Sequence, residues 1–453
     1  MTLSRRHFLR NAGAAAIGFS SLQQFVGCAP APRDFGDLVP DPEGLFDLPS
    51  GFSYRIISTY GQEMADGLLV PHRPDGMAAF PGPDGLTIVV RNHEVHGRSA
   101  GPEEGAFGED LSRLHLIGDR IFDAGNEGFA PALGGTTTIV YDTRTGETVR
   151  QFLSLAGTIR NCAGGPTPWN SWITCEEDTM PANDRYRENH GWMFEVPATA
   201  EPALADPTPI RAAGRFYREA VAVDPESGIV YMTEDTGDGL LYRYIPNVPG
   251  ELHKGGRVDA LAFVEGPDLD IRNRDTQRFE PGRSAAVKWI PMTDLDNPND
   301  DLRHRGRALG AAQLARAEGI AYGDGQIFIA CTNGGLNREG QILRYVPSAH
   351  EGTGRESEAP GMLQLYAEPN NTDILENCDN LTVAPWGDVV IAEDKSTHPR
   401  LAMINSVGEI KIIGQNSRSN SELAGPCFSP DGSTLFVNIQ HEGLTLAITG
   451  PWV

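Results

Sequence analysis

Acidic side chains, amides and one thiol recur at the ends of short hairpin-like stretches in this 453-residue chain. Each stretch has a ligand-type residue, an apolar run, a tight turn, a second apolar run and then usually acids or amides. The five stretches span residues 162–177, 219–235, 318–333, 379–394 and 422–438. Carboxylates, amides and thiolates are metal ligands, so the pattern predicts cation chemistry.

Antiparallel pairing would place the two ends of each stretch side by side. Glu219 is expected beside Glu234, and Asp379 beside Glu393. If the hairpins stand around one axis, their open ends share one basin, whose carboxylates need cations to neutralise them. For any single carboxylate the alternative is an ordinary solvated loop acid. Three adjacent acid pairs, each directly after an apolar strand, favour the basin for the set.

Cys162 adds a soft ligand to this oxygen-rich set. The residues after it, up to Gly165, are rich in glycine, which lets a backbone come close to a ligand. A thiolate beside carboxylates favours iron or a similar transition metal, whereas the oxygens alone suit calcium, so more than one metal is expected. Glu94, after the run TIVV, is predicted to be a further metal residue, and His93 a structural hydrogen-bonding residue.

A guanidinium is also predicted at the rim of the basin. Arg316 precedes Glu318 by two residues and would grip phosphoryl or carboxylate oxygens bidentately; the alternative is a surface ion pair. The sequence contains no GxSxG elbow, P-loop or HExxH motif. A metal-activated water, or an oxo or hydroxo group, is therefore a better candidate nucleophile than a side chain.

The secondary-structure elements that must position these residues are predicted to be strands almost throughout the chain. Weakly similar hairpins separated by longer meanders predict an all-β fold, a β-propeller with inserted loops. Residues 51–453 are expected to form this single domain, and residues 29–50 a linker or surface arm. A polar insertion at 250–302 is expected to be a solvated surface loop, since it lacks the spacing of an EF-hand.

Charge and the N-terminus limit the setting in which the protein acts. The net charge of −24 argues against nucleic-acid binding, because phosphates need a cationic surface. Residues 1–28 resemble a twin-arginine export signal, with Arg5 and Arg6 before a modest apolar segment. Export to the periplasm is expected, with Cys28 a candidate site for a lipid anchor in the envelope and simple cleavage as the alternative.

These residues together resemble the PhoX family of exported alkaline phosphatases, from Asn92 to the C-terminus. The most specific block runs from Asn161-Cys162-Ala163-Gly164-Gly165 to Cys175-Glu176-Glu177. Further matching motifs are Arg218-Glu219-Ala220-Val221, Thr233-Glu234-Asp235-Thr236, Arg316-Ala317-Glu318-Gly319, Asp379-Asn380-Leu381-Thr382, Glu393-Asp394 and Gly425-Pro426-Cys427-Phe428.

The resemblance implies a six-bladed propeller with ferric iron, Fe(3+), and calcium, Ca(2+), that hydrolyses small-molecule phosphate monoesters. It implies that Arg316 binds the substrate phosphate, and that the iron ligands are Cys162, Glu219 and Glu318. The calcium-side candidates that it implies are Glu94, Glu176, Glu177, Glu234, Asp235, Asp379 and Glu393. Two alternatives remain open from the sequence: a calcium-dependent lactonase, and a non-catalytic binding propeller stabilised by calcium.

Overall fold

The alternating apolar runs form antiparallel strands in the computed structural model, which describes residues 33–266 and 269–452. The first strands are β1 Leu38–Val39, β2 Phe46–Pro49, β3 Ser53–Thr59, β4 Pro74–Pro81, β5 Thr87–His93, β6 Gly134–Asp142, β7 Glu147–Thr158, β8 Asn161–Pro166, β9 Ser171–Glu176, β10 Met193–Pro197, β11 Arg218–Val223, β12 Val230–Glu234 and β13 Leu241–Pro246. The remaining strands are β14 Gly256–Phe263, β15 Ser284–Pro291, β16 Ala317–Gly323, β17 Gln326–Cys331, β18 Gln341–Val346, β19 Met362–Ala367, β20 Cys378–Val383, β21 Val389–Glu393, β22 Arg400–Ile404, β23 Ile410–Asn416, β24 Leu423–Phe428, β25 Thr434–Ile439 and β26 Leu444–Thr449.

Helical structure is scarce in the described residues. One short α-helix, α1, spans Leu302–Ala308. Single turns of 3-10 helix lie at Pro83–Gly85, Pro102–Glu104, Leu114–Ile117, Arg211–Ala213, Leu252–Lys254 and Glu356–Glu358. No described helix has the length and apolar character needed to cross a bilayer.

The strands group into six antiparallel units, here called blades 1 to 6. They consist of β4–β7, β8–β10, β11–β14, β16–β19, β20–β23, and β24–β26 with β3. β15 joins the outer edges of blades 3 and 4, while β1 and β2 extend the outer edge of blade 5. The first strand of each blade packs on the first strand of the next, and β24 packs on β4. The inner strands thus close a ring, which confirms the predicted all-β propeller and gives it six blades.

The ring is closed by the N-terminal part of the described chain. β3 pairs with β26, so that Ser53 lies opposite Thr449 and Thr59 opposite Leu444. Main-chain hydrogen bonds therefore tie the two ends of the propeller together. The described residues from Phe35 onward form one compact unit. The predicted signal segment and Cys28 lie outside the described residues.

The segment expected to be a linker or arm contributes β1 and β2 from residue 38 onward. Leu45 and Phe46 are buried at 2% and 1% exposure against blades 5 and 6. Burying such side chains contributes roughly 2 kcal/mol each to the stability of the fold. These two residues anchor the segment to the propeller.

Close packing between blades explains the glycines that follow Cys162. A Cβ on Gly164 would overlap the carbonyl oxygen of Ile173, and one on Gly165 that of Val221 in blade 3. In the described structure, the close approach that these two glycines permit is one between strands. They allow strands to approach one another, because only glycine leaves the room.

Candidate metal centre

Each inner hairpin contains a β-bulge at its open end. In blade 3 Arg218 pairs with Glu234, and in blade 5 Cys378 pairs with Glu393, each pair being followed directly by the bulge. The predicted neighbours, Glu219 beside Glu234 and Asp379 beside Glu393, are therefore wrong by one residue. The extra residue in the inner strand shifts the register, as β-bulges do.

This register separates the two acids that end the second strand of blades 2, 3 and 5. Consecutive side chains of a strand project to opposite faces. Glu176 lies opposite Asn161, the residue before Cys162, and Glu177 follows beyond the strand. Only Glu177 shares a cluster with Cys162.

Glu176 is fully used by the protein itself. Its Oε1 accepts from the backbone N–H of Ile159 at 3.1 Å and contacts His190 Nδ1 at 2.6 Å. Its Oε2 accepts from the backbone N–H groups of Gly191 at 2.8 Å and Trp192 at 3.2 Å. His190 also contacts Asp123 at 3.3 Å. Burial opposes the imidazolium, yet the neighbouring carboxylates raise the pKa of His190 to about 9.

Glu234 and Glu393 are held in comparable ways. Glu234 Oε2 accepts from Tyr242 Oη at 3.0 Å and from the Leu240 N–H at 3.2 Å. Its Oε1 has no hydrogen-bond partner among the described residues but lies 3.7 Å from Nη1 of Arg303, whose charge offsets its own. Glu393 accepts from Arg400 through Nε at 2.7 Å and Nη2 at 2.6 Å. These bonds tie both carboxylates to the third strands of their own blades, β13 and β22.

The structure brings a thiol and four carboxylates together on the axis side of blades 1 to 3. Asp75, Glu94 and Cys162 form one group, and Cys162, Glu177 and Glu219 form a second, with ligand atoms within 4.8 Å of one another in each group. Cys162 is common to both groups. Two cations that share one thiolate would fit this arrangement.

Asp75 is a site residue that the sequence reasoning missed. It is the second residue of β4 and begins the bulge of blade 1, the position that Cys162 occupies in blade 2. The stretch from Asp75 to Glu94, with its PGPDG turn, is one more copy of the hairpin pattern. Recognising it as a repeat would have found Asp75.

Further acids continue the cluster around the ring. Glu318 of β16 and Asp379 of β20 begin the bulges of blades 4 and 5. Glu422 directly precedes β24, and a side-chain hydrogen bond links it to Asp394. In blade 6 the bulge begins at Gly425. The inner strands of blades 1 to 5 thus each present one candidate ligand at the same position.

Burial and mutual repulsion dominate the electrostatics of this cluster. Burial first, and neighbouring carboxylates second, raise the pKa of Asp75, Glu177 and Glu219 well above the usual range. The same causes raise the pKa of Glu318 to about 7. Burial likewise raises the pKa of the Cys162 thiol. Such groups release their protons readily only when a bound cation replaces those protons.

The donor set fits a metal centre. Glu219 Oε1 is buried and has no hydrogen-bond partner among the described residues. A carboxylate oxygen in that position is costly unless a cation binds it. The many oxygens suit calcium, and the thiol suits a softer ion.

Two arginines lie over the cluster at equivalent positions. Arg316 donates to both oxygens of Asp235 at 2.9 Å and contacts Glu318 at 2.6 Å. Arg160 contacts Glu94 at 3.0 Å and Glu177 at 2.6 Å. Both side chains remain partly exposed, at 35% and 25%.

The backbone shows why these arginines correspond. Both have left-handed backbone angles, with φ of 44° at Arg160 and 49° at Arg316. Each carbonyl accepts from the residue after the second strand of its blade, Glu177 N–H and Thr332 N–H respectively. Arg160 looked unremarkable in the sequence because the equivalence depends on these hydrogen bonds.

The inner strands also enclose an apolar cavity of about 370 Å³. Its lining begins at the residues after the candidate ligands, including Ala163, Ala220 and Asn380. No charged side chain of the described residues lines it. The ionisable groups therefore concentrate at one end of the axis, and the chemistry belongs there.

Fold and site together define a β-propeller with an acidic, cysteine-containing metal-type centre on its axis. The sequence pattern described as alkaline phosphatase PhoX matches residues 33–443, and the chain belongs to that family. It is accordingly a phosphatase, as the resemblance implied.

Solved structures agree with the fold. PhoX of Pseudomonas fluorescens, in complex with the transition-state analogue vanadate, superposes with a TM-score of 0.66 at 18% identity, covering 91% of this chain and 97% of that one. A gluconolactonase from Xanthomonas campestris gives a TM-score of 0.42 at 12% identity, covering 93% and 99%, a likeness that carries no argument about function. No curated protein matches the sequence.

The contrast between Glu176 and Glu177 yields a paired prediction. Glu177→Gln should lower bound metal and kcat/KM more than about tenfold, with a nearly unchanged melting temperature, because it removes a cluster oxygen. Glu176→Gln should lower the free energy of unfolding by about 3 kcal/mol, because the buried His190 then keeps only one of its two carboxylate partners, Asp123. Metal analysis and denaturant unfolding of both variants test this. The reverse pattern would show that Glu176 is the ligand.

Proposed function

We propose that this protein is a metal-dependent phosphomonoesterase whose centre holds iron and calcium. The observation that carries the proposal is the pair of ligand groups sharing Cys162, with Arg160 paired to Glu94 and Glu177 and Arg316 paired to the neighbouring acids Asp235 and Glu318. A lactonase or a purely structural calcium site would leave the thiol and both arginines without a role. Family membership supports phosphate esters as the substrates.

The proposed iron ligands are Cys162, Glu219 and Glu318, as the family resemblance implies, with Asp75 added by its position beside Cys162. The proposed calcium side comprises Glu94, Glu177, Asp235, Asp379 and Asp394. Glu176, Glu234 and Glu393 are assigned instead to orienting the loops, given their protein donors. Bound cations would supply Lewis-acid polarisation of the phosphoryl group and a lowered pKa for an attacking water.

The two arginines have a defined task in this scheme. Each guanidinium contacts two acids of the cluster and remains partly exposed. Cations bound to those acids would compete with the guanidiniums for the carboxylate charge. The N–H donors released in this way would be available to phosphoryl oxygens. Arg316 and Arg160 would then hold the transferred group from two sides and stabilise the charge that develops on it.

Substituting these arginines should affect catalysis more than metal content. Arg316→Ala should lower kcat/KM for an aryl phosphate about 100-fold and Arg160→Ala about tenfold, because each removes a charge-assisted donor. Lysine at either position should restore only part of the loss, since it lacks the fork. Arg150→Ala, a surface arginine of β7 paired with Glu201, is the matched control. Unchanged kcat/KM would remove the tested arginine from the site.

We also propose export through the twin-arginine pathway, to the periplasm or to an envelope anchor at Cys28. The paired Arg5 and Arg6 support this proposal. Arg5→Lys with Arg6→Lys should retain the protein in the cytoplasm on cell fractionation. Continued export of that variant would contradict it.

The experiment that tests the activity is hydrolysis of an aryl phosphate at mildly alkaline pH by metal-replete protein. An aliquot treated with a calcium chelator should lose turnover and regain it when calcium is returned. A simple lactone serves as the control substrate. Hydrolysis of the lactone, with none of the ester in protein that contains iron and calcium, would overturn the phosphatase proposal.

A further inference from the structure

A loop between β14 and β15 places arginines beside the proposed centre. The loop is anchored by Ile271 and Phe279, which are 1% and 0% exposed. Asn273 fixes its course: the Oδ1 accepts from the Phe279 N–H at 3.0 Å, and the Nδ2 donates to Glu368 at 2.6 Å. The segment 250–302, expected to be a solvated surface loop, instead contains the strands β14 and β15 and this anchored loop between them.

Arg274 of this loop lies in the same gap between blades 3 and 4 as Arg316. The Arg316 N–H donates to the Thr236 carbonyl at 3.0 Å, and the Arg316 carbonyl accepts from the Thr332 N–H at 2.9 Å. Arg274 donates to the next residues on the same two loops, Gly237 O at 2.8 Å and Asn333 Oδ1. The backbone of Arg316 and the guanidinium of Arg274 are thus held by consecutive positions of the same two loops.

The positive charge of Arg274 lacks a matching carboxylate. Arg272 also donates to Gly237 O, at 3.1 Å, so two guanidiniums share one carbonyl. Asp270 forms an ion pair with Arg272 at 2.8 Å, whereas no ion pair to Arg274 occurs among the described residues. The Arg274 Nε is buried and has no partner there.

The electrostatics agree with this geometry. Burial, and then the charges of Arg272 and Arg338, lower the pKa of Arg274. The like charges outweigh Asp270 and Asp238, which act in the opposite direction. An anion bound here would satisfy the buried donor and relieve the repulsion.

We propose that Arg274, with Arg272 and Arg338, forms a subsite for a second anionic group on the substrate. This inference rests on the proposed phosphatase function, since the first group is the phosphate held near Arg316. The substrate class is a phosphate ester whose leaving group itself carries a phosphate, phosphonate or carboxylate. Such a group receives charge-assisted hydrogen bonds that a neutral leaving group cannot accept.

The test uses esters that differ only in the remote group. Propyl phosphate is compared with a series of ω-phosphonoalkyl phosphates of increasing chain length, in which only one ester bond can be hydrolysed. A parallel series ends in carboxylates and identifies which anion is preferred. At one length kcat/KM should exceed that of propyl phosphate about tenfold, and this preference should shrink with added salt.

Arg274→Gln should abolish most of this preference, while Arg144→Gln, an exposed arginine beyond β6, should retain it. A series without any preference, or a preference that survives in Arg274→Gln with an unchanged melting temperature, would overturn the subsite. Failure to hydrolyse propyl phosphate would instead count against the phosphatase itself. In that case the affinity of alkane bisphosphonates relative to alkylphosphonates, in both variants, decides the subsite.

Discussion

Cys162→Ser is expected to lower kcat/KM more than about 100-fold and to remove the proposed transition metal, while the propeller still folds. Cys162 is the one residue common to both ligand groups. A serine hydroxyl is a far weaker ligand than a thiolate for a soft ion. Changes to outer partners of metal ligands already cost about 10- to 100-fold, so loss of a shared ligand should cost more. Metal analysis, turnover and thermal melting measure the three parts of this prediction.

The matched control is Cys427→Ser on the inner strand β24. Cys427 is 5% exposed and lines the apolar cavity instead of the acidic cluster. Its substitution should leave metal content unchanged and lower stability modestly, because it buries a hydroxyl. Retained iron and full activity in Cys162→Ser would refute the ligand role. Loss of iron in both variants would mean that the inner strands, and not the thiol, determine binding.

The sequence pattern was sufficient for the architecture and for the location of the chemistry. Hairpins of period 2 predicted the blades, and Cys162, Glu219 and Asp379 lie at the second position of the first strand in three of them. Closure of the ring by β3 was not predictable from the pattern, since it depends on pairing residues almost 400 positions apart, such as Ser53 and Thr449.

The choice between adjacent candidate ligands could not be predicted, because a shift of one residue in strand register decides which side chain faces the cluster. Glu176 and Glu177 are adjacent acids with no difference in local sequence signal, yet strand alternation sends them to different faces. The bulges that set this alternation begin at the ligand-type residues themselves, such as Asp75 and Glu318, but nothing in the sequence indicates that these residues are also the extra ones in the pairing. Arg160 was missed for a similar reason: its role depends on contacts with Glu94 across the blade boundary.

Metal removal is expected to make the stability of the protein strongly dependent on pH. Glu318, whose pKa rises from 4.5 to about 7, illustrates the sign. Between these values the unfolded carboxyl has lost its proton and the folded one keeps it, so the folded state binds more protons and stability falls as pH rises. The full loss above pH 7 is at most about 3 kcal/mol for this one group. Asp75, Glu177 and Glu219 shift in the same direction and add to it.

Cations in the cluster should remove this dependence, because they replace the protons as the partners of the carboxylates. Denaturant unfolding of chelator-treated protein at pH 5 and pH 8 should show the lower stability at pH 8. The same pair of measurements with calcium and iron restored should show nearly equal values. Glu318→Gln should reduce the difference in the chelator-treated protein, since a neutral amide carries no ionisation cost. A metal-free protein that is more stable at pH 8 than at pH 5 would show that the acids of the cluster are paired by the protein alone, and that no cation is needed to hold them together.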